Sequence, residues 1–555
     1  MNKLWGVVLL SVAAISAAFA ASGVAAGSPA RHAAASVQRG LATRVIDRAA
    51  TAGPAGAVVH SHGARRIPHS QSASAPATAA PRVASSGLAS TTPSLLENFN
   101  GTSSRDSEVT NFNQEFEPPD QGLCAGNGFV VDMVNSAYTV YKSDGSVVAG
   151  PFNINDVFDE GATQFTSDPR CYYDPTTNTW FATILFLSGG DFGGASNSSH
   201  LDIAVNSPNG PTTNGHAGDP TNPWIVYQIN TTDPGGNGCP CFGDQPRIGI
   251  DGQNVYVTSD EFSINGPQFN GGQIFAFSKA DLVDLKPTVH FVEYKDLSVA
   301  GTVPVAPQPA LTTGNPAAEY FLGSLDPNGT GDHRVVVWAL TDTSAVSSGG
   351  KPKLSNVVLN SESYANPPNA QQEGATSLLN TGDDRMQQTQ YINGSVWGEL
   401  TTALTVSGDS TQRAGGAWFR VVPHLTGGKL DSATKVLQQG YVAVSGDYFI
   451  YPALQVAPDG GAVMVGTLSG TNMFPSAAFT ALTPGASAFG PVQVGAAGST
   501  HYATTGTRWG DYSWAVIDPS GKSVWLATEY IPPLASQTTD GNANWGTRVM
   551  DVAAP

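Results

Sequence analysis

Basic residues are scarce in this 555-residue chain, which has 26 Lys and Arg against 44 Asp and Glu and a net charge of −18. Residues 1–95 hold eight of the basic residues and a single acid, so the rest of the chain carries the acidic excess. Nucleic-acid binding needs clustered Lys and Arg that neutralise phosphates. We therefore exclude DNA and RNA as partners.

Long hydrophobic runs are absent after the first 20 residues. Residues 1–20 contain Lys3, an apolar stretch from Leu4 to Phe19 and a small-x-small sequence ending at Ala20, which is the pattern of a signal peptide. No later run reaches the ~18 apolar residues of a membrane-spanning helix. The sequence predicts an exported protein, secreted to the exterior or the periplasm, without a membrane span.

Large apolar residues are also rare in residues 21–95, where Ala, Ser, Pro and Gly dominate. Such a segment cannot bury enough surface to offset the entropy lost on ordering. We predict a disordered leader or propeptide over 21–95 and a single folded domain, acting as a monomer, over 96–555.

Common catalytic motifs are missing. The chain has no Gly-x-Ser-x-Gly elbow and no phosphate-binding loop, and its later histidines lie singly rather than at zinc-binding spacing. Helical periodicity is hard to find after residue 95. Instead, short runs of Val, Ile, Tyr, Phe and Trp alternate with Gly, Asn, Asp and Pro turns, which is typical of an all-β domain.

A repeat of two apolar strands joined by a turn recurs along the domain, with copies starting near residues 120, 168, 244, 309, 384, 451 and 508. The clearest copies begin at Gly243 and Gly510, and both open with Gly-Asp. A strand-built repeat of this size is typical of a β-propeller. We predict seven four-stranded blades, with six or eight as alternatives because the ring can close with a strand from each chain end.

The repeat places charged residues of several blades at one end of the channel, because the start of one strand and the end of the next lie together in an antiparallel hairpin. Two interpretations are open: ion pairs that join the blades, or a binding site in which arginines hold an anionic group. Arginines that are all tied to aspartates would favour the first. The candidate catalytic residues are Glu261, Glu529 and Asp511, and the candidate substrate-binding residues are Arg170, Arg247, Arg385, Arg508 and Asp244.

The four cysteines form an even set in a predicted exported chain, which favours disulfides over a thiolate metal site. Cys124 and Cys171 occupy the same position of neighbouring repeats and so point the same way round the ring. We therefore expect Cys171 to pair with a thiol of Cys239-Pro240-Cys241 rather than with Cys124.

A weak calcium motif occurs at Asp326, Asn328 and Asp332, where oxygen-bearing side chains stand at alternate positions. An ordinary Asn-Gly turn is the alternative. No cofactor is required by the sequence, and Ca²⁺ is the one metal ion that it suggests.

Three segments resemble secreted bacterial sialidase-like propeller proteins: Arg508 to Ser513 with Asp518-Pro519 and Trp525, Arg385 to Gln388 before Asn393 to Trp397, and Pro118-Pro119-Asp120. The resemblance implies six or seven blades and an extracellular setting. The Ser-x-Asp-x-Gly-x-Thr-Trp boxes of sialidases are absent, so we carry over no nucleophile pair from that family.

Three functions fit these observations. The first is recognition, with or without cleavage, of an extracellular and anionic glycan, in which case an enzyme would be a glycoside hydrolase or polysaccharide lyase. The second is a non-enzymatic scaffold that grips an extracellular protein. The third is a metal-dependent hydrolase or lyase that uses the carboxylates, and the fold alone does not choose among the three.

We expect deletion of residues 508–555 to abolish folding, because it opens the predicted ring. Truncation at any point between residues 25 and 90 should leave thermal unfolding unchanged. Melting followed by circular dichroism measures both effects. A folded product from the C-terminal deletion would contradict ring closure.

Overall fold

The computed structural model describes residues 36–44, 80–88, 93–111, 116–162, 164–188, 198–233, 239–264, 266, 268–326, 330–503, 508–538 and 543–555. The predicted signal peptide lies outside these residues. No helix of the described part is long and apolar enough to cross a membrane.

Nearly all regular structure in these residues is β-strand, which confirms the all-β prediction. The three α-helices are short: α1 (Ser104–Thr110), α2 (Asn155–Phe158) and α3 (Lys279–Val283), with 3-10 turns at Thr343–Ser348 and Leu534–Ser536. Helix α1 begins where it does because Ser103 and Asp106 form a capping box that satisfies its first free N–H groups.

The strands fall into seven antiparallel groups of four, which we call sheets 1–7. Three strands precede the first complete group: β1 (Ser36–Arg44), β2 (Arg82–Val83) and β3 (Leu95–Ser103). Sheet 1 contains β4 (Gly122–Gly126), β5 (Phe129–Met133), β6 (Ala137–Lys142) and β7 (Val147–Asn153). Sheet 2 contains β8 (Thr166–Asp174), β9 (Thr179–Leu187), β10 (Ser199–Asn206) and β11 (Ile225–Asn230). Sheet 3 contains β12 (Cys241–Ile250), β13 (Asn254–Ser263), β14 (Phe269–Ser278) and β15 (Thr288–Lys295).

The remaining groups follow the same order. Sheet 4 contains β16 (Gln308–Thr312), β17 (Ala318–Ser324), β18 (Asp332–Thr341) and β19 (Lys353–Tyr364). Sheet 5 contains β20 (Met386–Ile392), β21 (Ser395–Val406), β22 (Gln412–Val422) and β25 (Lys435–Val442), with the small hairpin β23 (Leu425–Thr426) and β24 (Lys429–Leu430) between the last two. Sheet 6 contains β26 (Asp447–Val456), β27 (Ala462–Gly470), β28 (Met473–Leu482) and β29 (Gln493–Ala496). Sheet 7 contains β30 (Trp514–Ile517), β31 (Ser523–Tyr530), β32 (Gly546–Ala553) and, on its far side, β3.

The first strands of the sheets contact one another in sequence order, from β4 through β8, β12, β16, β20, β26 and β30, and β30 contacts β4 again. Glycines allow this close approach. A Cβ on Gly122 would lie 2.9 Å from the Pro169 carbonyl oxygen, and one on Gly249 would lie 2.5 Å from the Pro309 Cβ. Followed from sheet 1 to sheet 7, the contacts between first strands thus lead from β4 back to β4.

Sheet 7 draws its strands from both ends of the chain. β3 pairs antiparallel with β32, with Phe99 opposite Val549 and Asn98 opposite Met550. Side chains add to this pairing, since the Arg548 Nε donates to Asn98 Oδ1 at 2.6 Å.

The hydrophobic core lies between neighbouring sheets. Trp397 and Trp418 of sheet 5, for example, pack with Phe449 and Leu454 of sheet 6, and all four are buried. Each fully buried side chain of this size contributes about 1.5–3 kcal/mol. The alternating apolar residues of the strands supply both faces of each sheet, which explains why the repeat is so rich in β-branched and aromatic residues.

The predicted cysteine pairing is wrong. The disulfides join Cys124 to Cys171 and Cys239 to Cys241. Cys124 and Cys171 occupy the same position of neighbouring repeats, which we expected to keep their side chains apart. They can nevertheless bond, because β4 and β8 lie so close that the two Cα atoms are 5.2 Å apart.

Part of the predicted disordered leader forms strands. The backbone of β1 pairs antiparallel with β15 and, at Thr43 and Arg44, with β11. β2 pairs parallel with β21. β15 and β11 are the fourth strands of sheets 3 and 2, and Thr405 and Val406 of β21 lie beyond its pairing with β20. Each therefore offers backbone N–H and C=O groups to an added strand, whatever its side chains. The division at residue 95 stays a prediction, and β3 begins there.

We expect a chain beginning at residue 93 to fold and one beginning at residue 104 to fail, because the two differ by β3, the strand that completes sheet 7. The shorter chain exposes the paired edge of β32 and the apolar side chains that β3 covers. Circular dichroism melting and limited proteolysis compare the two. Equal melting temperatures would contradict a structural role for β3.

Candidate functional site

An unusual backbone conformation recurs at the start of several first strands. Asp168, Gln245 and Tyr451 have φ values of 62°, 46° and 50°, each precedes a proline, and the strand pairing shifts there. Asp120 also has a positive φ of 51°. Positive φ costs a non-glycine residue about 1–3 kcal/mol and clusters at functional or tightly constrained sites. By its backbone conformation, the residue of sheet 3 that corresponds to Asp168 of sheet 2 is Gln245. The sequence analysis had instead selected the preceding residue, Asp244, as the candidate.

Three of these first strands bring carboxylates together. The oxygens of Asp120, Asp168 and Asp511, which we call the carboxylate centre, lie within 4.8 Å of one another. The Asp511 N–H donates to Asp120 Oδ1 at 2.7 Å, and Gln245 Nε2 donates to Asp511 Oδ2 at 2.9 Å. Asn135 links the other two, donating to Asp120 Oδ2 and accepting from the Asp168 N–H.

Two members of the carboxylate centre, Asp120 and Asp168, have pKa values raised above those of isolated carboxylates. Burial raises the pKa of Asp120 well above its usual range, and the charges of Asp511 and Asp168 add to the rise while Arg508 opposes it. The pKa of Asp168 is raised for the same reasons. Carboxylate oxygens at this spacing are also ligands that Ca²⁺ accepts, so these residues could hold a divalent cation.

The predicted arginines Arg247, Arg385 and Arg508 are each tied to aspartate. Arg508 Nη2 lies 2.7 Å from Asp511 Oδ2, and Arg247 Nη2 lies 2.7 Å from Asp260 Oδ2. Arg385 reaches Asp260 as well, at 3.3 Å, so Asp260 pairs with arginines of sheet 3 and of the segment before sheet 5. Only 2% of the Arg247 side chain is exposed, against 14% for Arg385 and 15% for Arg508.

Burial alone would lower the pKa values of Arg385 and Arg508, but the charges of nearby carboxylates raise both values by more than burial lowers them. Asp383, whose Oδ1 lies 2.8 Å from Arg385 Nε, and Asp260 raise the pKa of Arg385. Asp511 and Asp120 raise that of Arg508 in the same way. Both guanidinium groups are therefore fully charged and largely neutralised by their neighbours.

Arg170 does not join the other arginines. Its guanidinium carbon lies 3.1 Å from the Tyr512 ring centroid and 4.6 Å from that of Trp514. Burial lowers its pKa to about 10, with Tyr512 opposing the shift. Arg170 thus stacks on the rings of Tyr512 and Trp514, and it also interacts electrostatically with Asp168 and Asp120 of the carboxylate centre.

Of the predicted acids, Glu261 lies apart from the carboxylate centre. Glu261 and Asp260 are adjacent in β13 and so point to opposite faces of the sheet. Glu261 accepts from Gln273 Nε2 at 3.1 Å and has no contact with the arginines described above. Asp244 lies opposite Asp260 in the pairing of β12 with β13.

Glu529 does lie beside the carboxylate centre, and it is deeply buried. A Cβ on Gly510 would come within 2.6 Å of Glu529 Oε1, so only glycine fits there. Burial raises the pKa of Glu529 well above its usual range, with Asp120 and Asp511 adding to the rise. Because only 2% of Glu529 is exposed, a substrate does not reach it in this conformation.

The predicted calcium loop uses its carboxylates internally. Asp326 accepts from the Thr330 and Gly331 N–H groups, and Arg334 binds both oxygens of Asp332, at 2.8 and 2.6 Å. Asn328 lies outside the described residues. Asp326 also has a side-chain hydrogen bond with Asp384, in the segment before sheet 5.

Two insertions lie beside the carboxylate centre. One spans residues 365–385, between sheets 4 and 5, and the described parts of the other are residues 497–503 and 508–513, between sheets 6 and 7. Tyr502 joins them, since its N–H donates to Gln372 Oε1 at 2.7 Å and its hydroxyl donates to the Arg508 carbonyl oxygen at 2.9 Å. Tyr451 extends the contact by donating to Asn380.

A cleft of about 640 Å³ lies between the two insertions. It is lined by Gly374, Ala375, Thr376, Ser377, His501, Tyr502 and Ala503. Sequence reasoning missed these residues, because none of them belongs to the strand repeat.

Solved structures to which the chain is similar include two sialidases and an arabinanase. A Trypanosoma rangeli sialidase with bound sialic acid matches 75% of this chain and 57% of its own length at 9% identity, with a TM-score of 0.34. A mutant NanB sialidase from Streptococcus pneumoniae matches 77% of this chain and 82% of its own at 9% identity and a TM-score of 0.36. An exo-1,5-α-L-arabinanase from a bovine ruminal metagenomic library matches 67% and 91% at 10% identity and 0.28. No family model and no curated protein matches the chain.

We expect Arg247→Ala to lower the free energy of unfolding by about 3–5 kcal/mol, because it leaves the buried Asp260 short of a partner. Urea unfolding measures the change. The matched control is Lys353→Ala, which removes a pair exposed by more than half on both sides and should cost less than about 1 kcal/mol. A similarly small loss for Arg247→Ala would show that Arg385 alone satisfies Asp260.

Proposed function

We propose that the protein is an exported, seven-bladed β-propeller that binds an extracellular glycan in the cleft between its two insertions. The seven sheets would be the blades, and two features support a closed ring. The contacts between first strands return to the first sheet, and β3 from one chain end completes the sheet formed by the other.

The cleft is the observation that carries the binding site. Thr376 and Ser377 in its lining are exposed and His501 is partly exposed, whereas Tyr502 is buried behind them against Trp509. Sugars present hydroxyls that hydrogen-bond and apolar ring faces that stack on flat side chains. A surface of small polar residues beside the His501 ring therefore suits a glycan better than an apolar ligand.

The charges favour a neutral glycan over an anionic one. Each arginine near the cleft is already paired with an aspartate, and the carboxylates Asp120, Asp168, Asp511 and Glu529 outnumber the arginines beside them. An anionic group would have to displace Asp511 from Arg508 or Asp383 from Arg385. Binding of an anionic glycan, which the sequence predicted, is therefore the alternative that the binding experiment below also tests.

Hydrolysis is the second candidate function, because a carboxyl of raised pKa beside another carboxylate is the pair that glycoside hydrolases use. Glu529 and Asp511 form such a pair. Glu529 would need to become accessible before it could act as an acid. We therefore propose recognition as the main activity, and treat cleavage and the protein-scaffold alternative as outcomes of the experiment.

The localisation proposal follows from the amino-terminal sequence and the cysteines. The pattern of residues 1–20 predicts export, and all four cysteines are in disulfides. Disulfides persist in oxidising compartments outside the cytosol.

We expect His501→Ala and Ser377→Ala to weaken binding of a glycan identified on an array by at least tenfold in calorimetry, because each removes a wall of the cleft. His424→Ala is the matched control, since His424 lies in an exposed ion pair with Asp431 outside the cleft. Its affinity should stay within twofold, and all three melting temperatures should be unchanged.

The same experiment separates the alternatives. Selective loss of acidic glycans in Arg508→Ala would favour the anionic ligand, and release of reducing sugar that Glu529→Gln abolishes would favour hydrolysis. Failure to bind any neutral or acidic glycan would contradict the proposal and leave a protein partner as the better hypothesis.

A further inference from the structure

The two disulfides differ in ring size and in access to solvent. Cys239 and Cys241 are separated by a single residue, Pro240, whereas Cys124 and Cys171 are 47 residues apart. Cys124, Cys171 and Cys241 are fully buried, but Cys239 is partly exposed. An external thiolate can therefore approach the sulfur of Cys239 and none of the other three.

Polar groups surround the Cys239–Cys241 pair. Asn270 Nδ2 donates to Cys241 Sγ at 3.2 Å and lies 3.6 Å from Cys239 Sγ. A carboxylate oxygen of Glu261 lies within 4.8 Å of both sulfurs. A disulfide that serves only to hold two segments together needs neither a partly buried amide nor a buried carboxyl beside it.

Glu261 is able to supply a proton near neutral pH. Burial raises its pKa to about 7, and the neighbouring charges of Asp233, Glu293 and Asp296 act in the same direction while Lys295 opposes them. Glu293 has a pKa raised to about 7 as well, with burial as its main cause. Gln273 holds the Glu261 carboxyl in place through its hydrogen bond to Oε1.

We propose that Cys239–Cys241 is a thiol–disulfide exchange site that reacts with a low-molecular-weight thiol, and that Glu261 protonates the leaving sulfur. Exchange requires an accessible sulfur, a leaving group that can be stabilised and a free path for the attacking thiolate. The partly exposed Cys239 provides the accessible sulfur and the free path, and Asn270 and Glu261 stabilise the leaving sulfur of Cys241.

The reaction proceeds in two balanced steps. A thiolate attacks Cys239 Sγ, the bond between the two protein sulfurs breaks, and its electron pair passes to Cys241 Sγ, which takes the proton of Glu261. A second thiolate then attacks the small-molecule sulfur of the mixed disulfide, and Cys239 leaves as a thiolate. Two thiols are oxidised to one small disulfide while the protein pair is reduced.

Reduction of the full chain by glutathione, followed by acid quenching, alkylation and mass spectrometry of the cysteine peptides, tests the proposal. We expect Cys239–Cys241 to be reduced at least ten times faster than Cys124–Cys171 in folded protein. Equal rates, or reduction of both pairs only in denaturant, would overturn it.

The variants Glu261→Gln and Glu293→Gln test the proton donor, because both remove one acid from the same surroundings. At constant thiolate concentration the reduction rate should fall as the pH rises above about 7, where Glu261 loses its proton. Glu261→Gln should slow reduction about tenfold at pH 6 and abolish this pH dependence, whereas Glu293→Gln should retain it. An unchanged profile in Glu261→Gln, with melting temperatures confirming that both variants are folded, would eliminate Glu261 as the donor.

Discussion

The pairing of β3 with β32 determines how the other sheets are arranged. The largest contacts between sheets join neighbours along the chain, so seven sheets in a row would end in two open faces with buried apolar surface exposed. Because residues 95–103 return to residues 546–553, the last sheet is completed beside the first, and β30 can lie against β4. The contacts between Asp120 and Asp511, 391 residues apart in sequence, depend on that one antiparallel pair.

The contacts among the first strands explain why so much charge is buried near them. These strands converge, so residues at their starts meet whether or not a ligand is present. Arg247, Arg385 and Arg508 neutralise part of the acidic surplus, and Gln245 and Asn135 satisfy much of the rest through hydrogen bonds. The centre is therefore a structural network first, and the insertions above it provide the surface on which a ligand can lie.

Sequence reasoning predicted the strand repeat well because alternation of apolar residues is a local property. It placed Arg508, Asp511 and Glu529 together correctly from hairpin geometry, and it missed Asp260 because a one-residue step along β13 reverses the side-chain direction. The choice of Asp244 instead of Gln245 has the same origin. The proline that follows both Asp168 and Gln245 was the signal that could have corrected it.

The disulfides and the cleft were harder to predict for a different reason. The distance between Cys124 and Cys171 depends on how closely β4 and β8 approach, which is set by Gly122 and its packing rather than by repeat phase. The cleft arises from two insertions that meet only in three dimensions through Tyr502. Nothing in either segment alone indicates that the other lies beside it.

The pairing of β3 with β32 also determines the order in which the sheets can be completed during synthesis. Synthesis delivers β3 near the start and its partner more than 440 residues later, as the pairing of Phe99 with Val549 shows. A contact of such long range cannot form until the whole domain is available, and topologies dominated by distant contacts fold slowly. Sheets 1–6 need no strand beyond residue 496, whereas β3 can form its pairing only after residues 546–553 exist. Sheet 7 is therefore the last of the seven that a growing chain can complete.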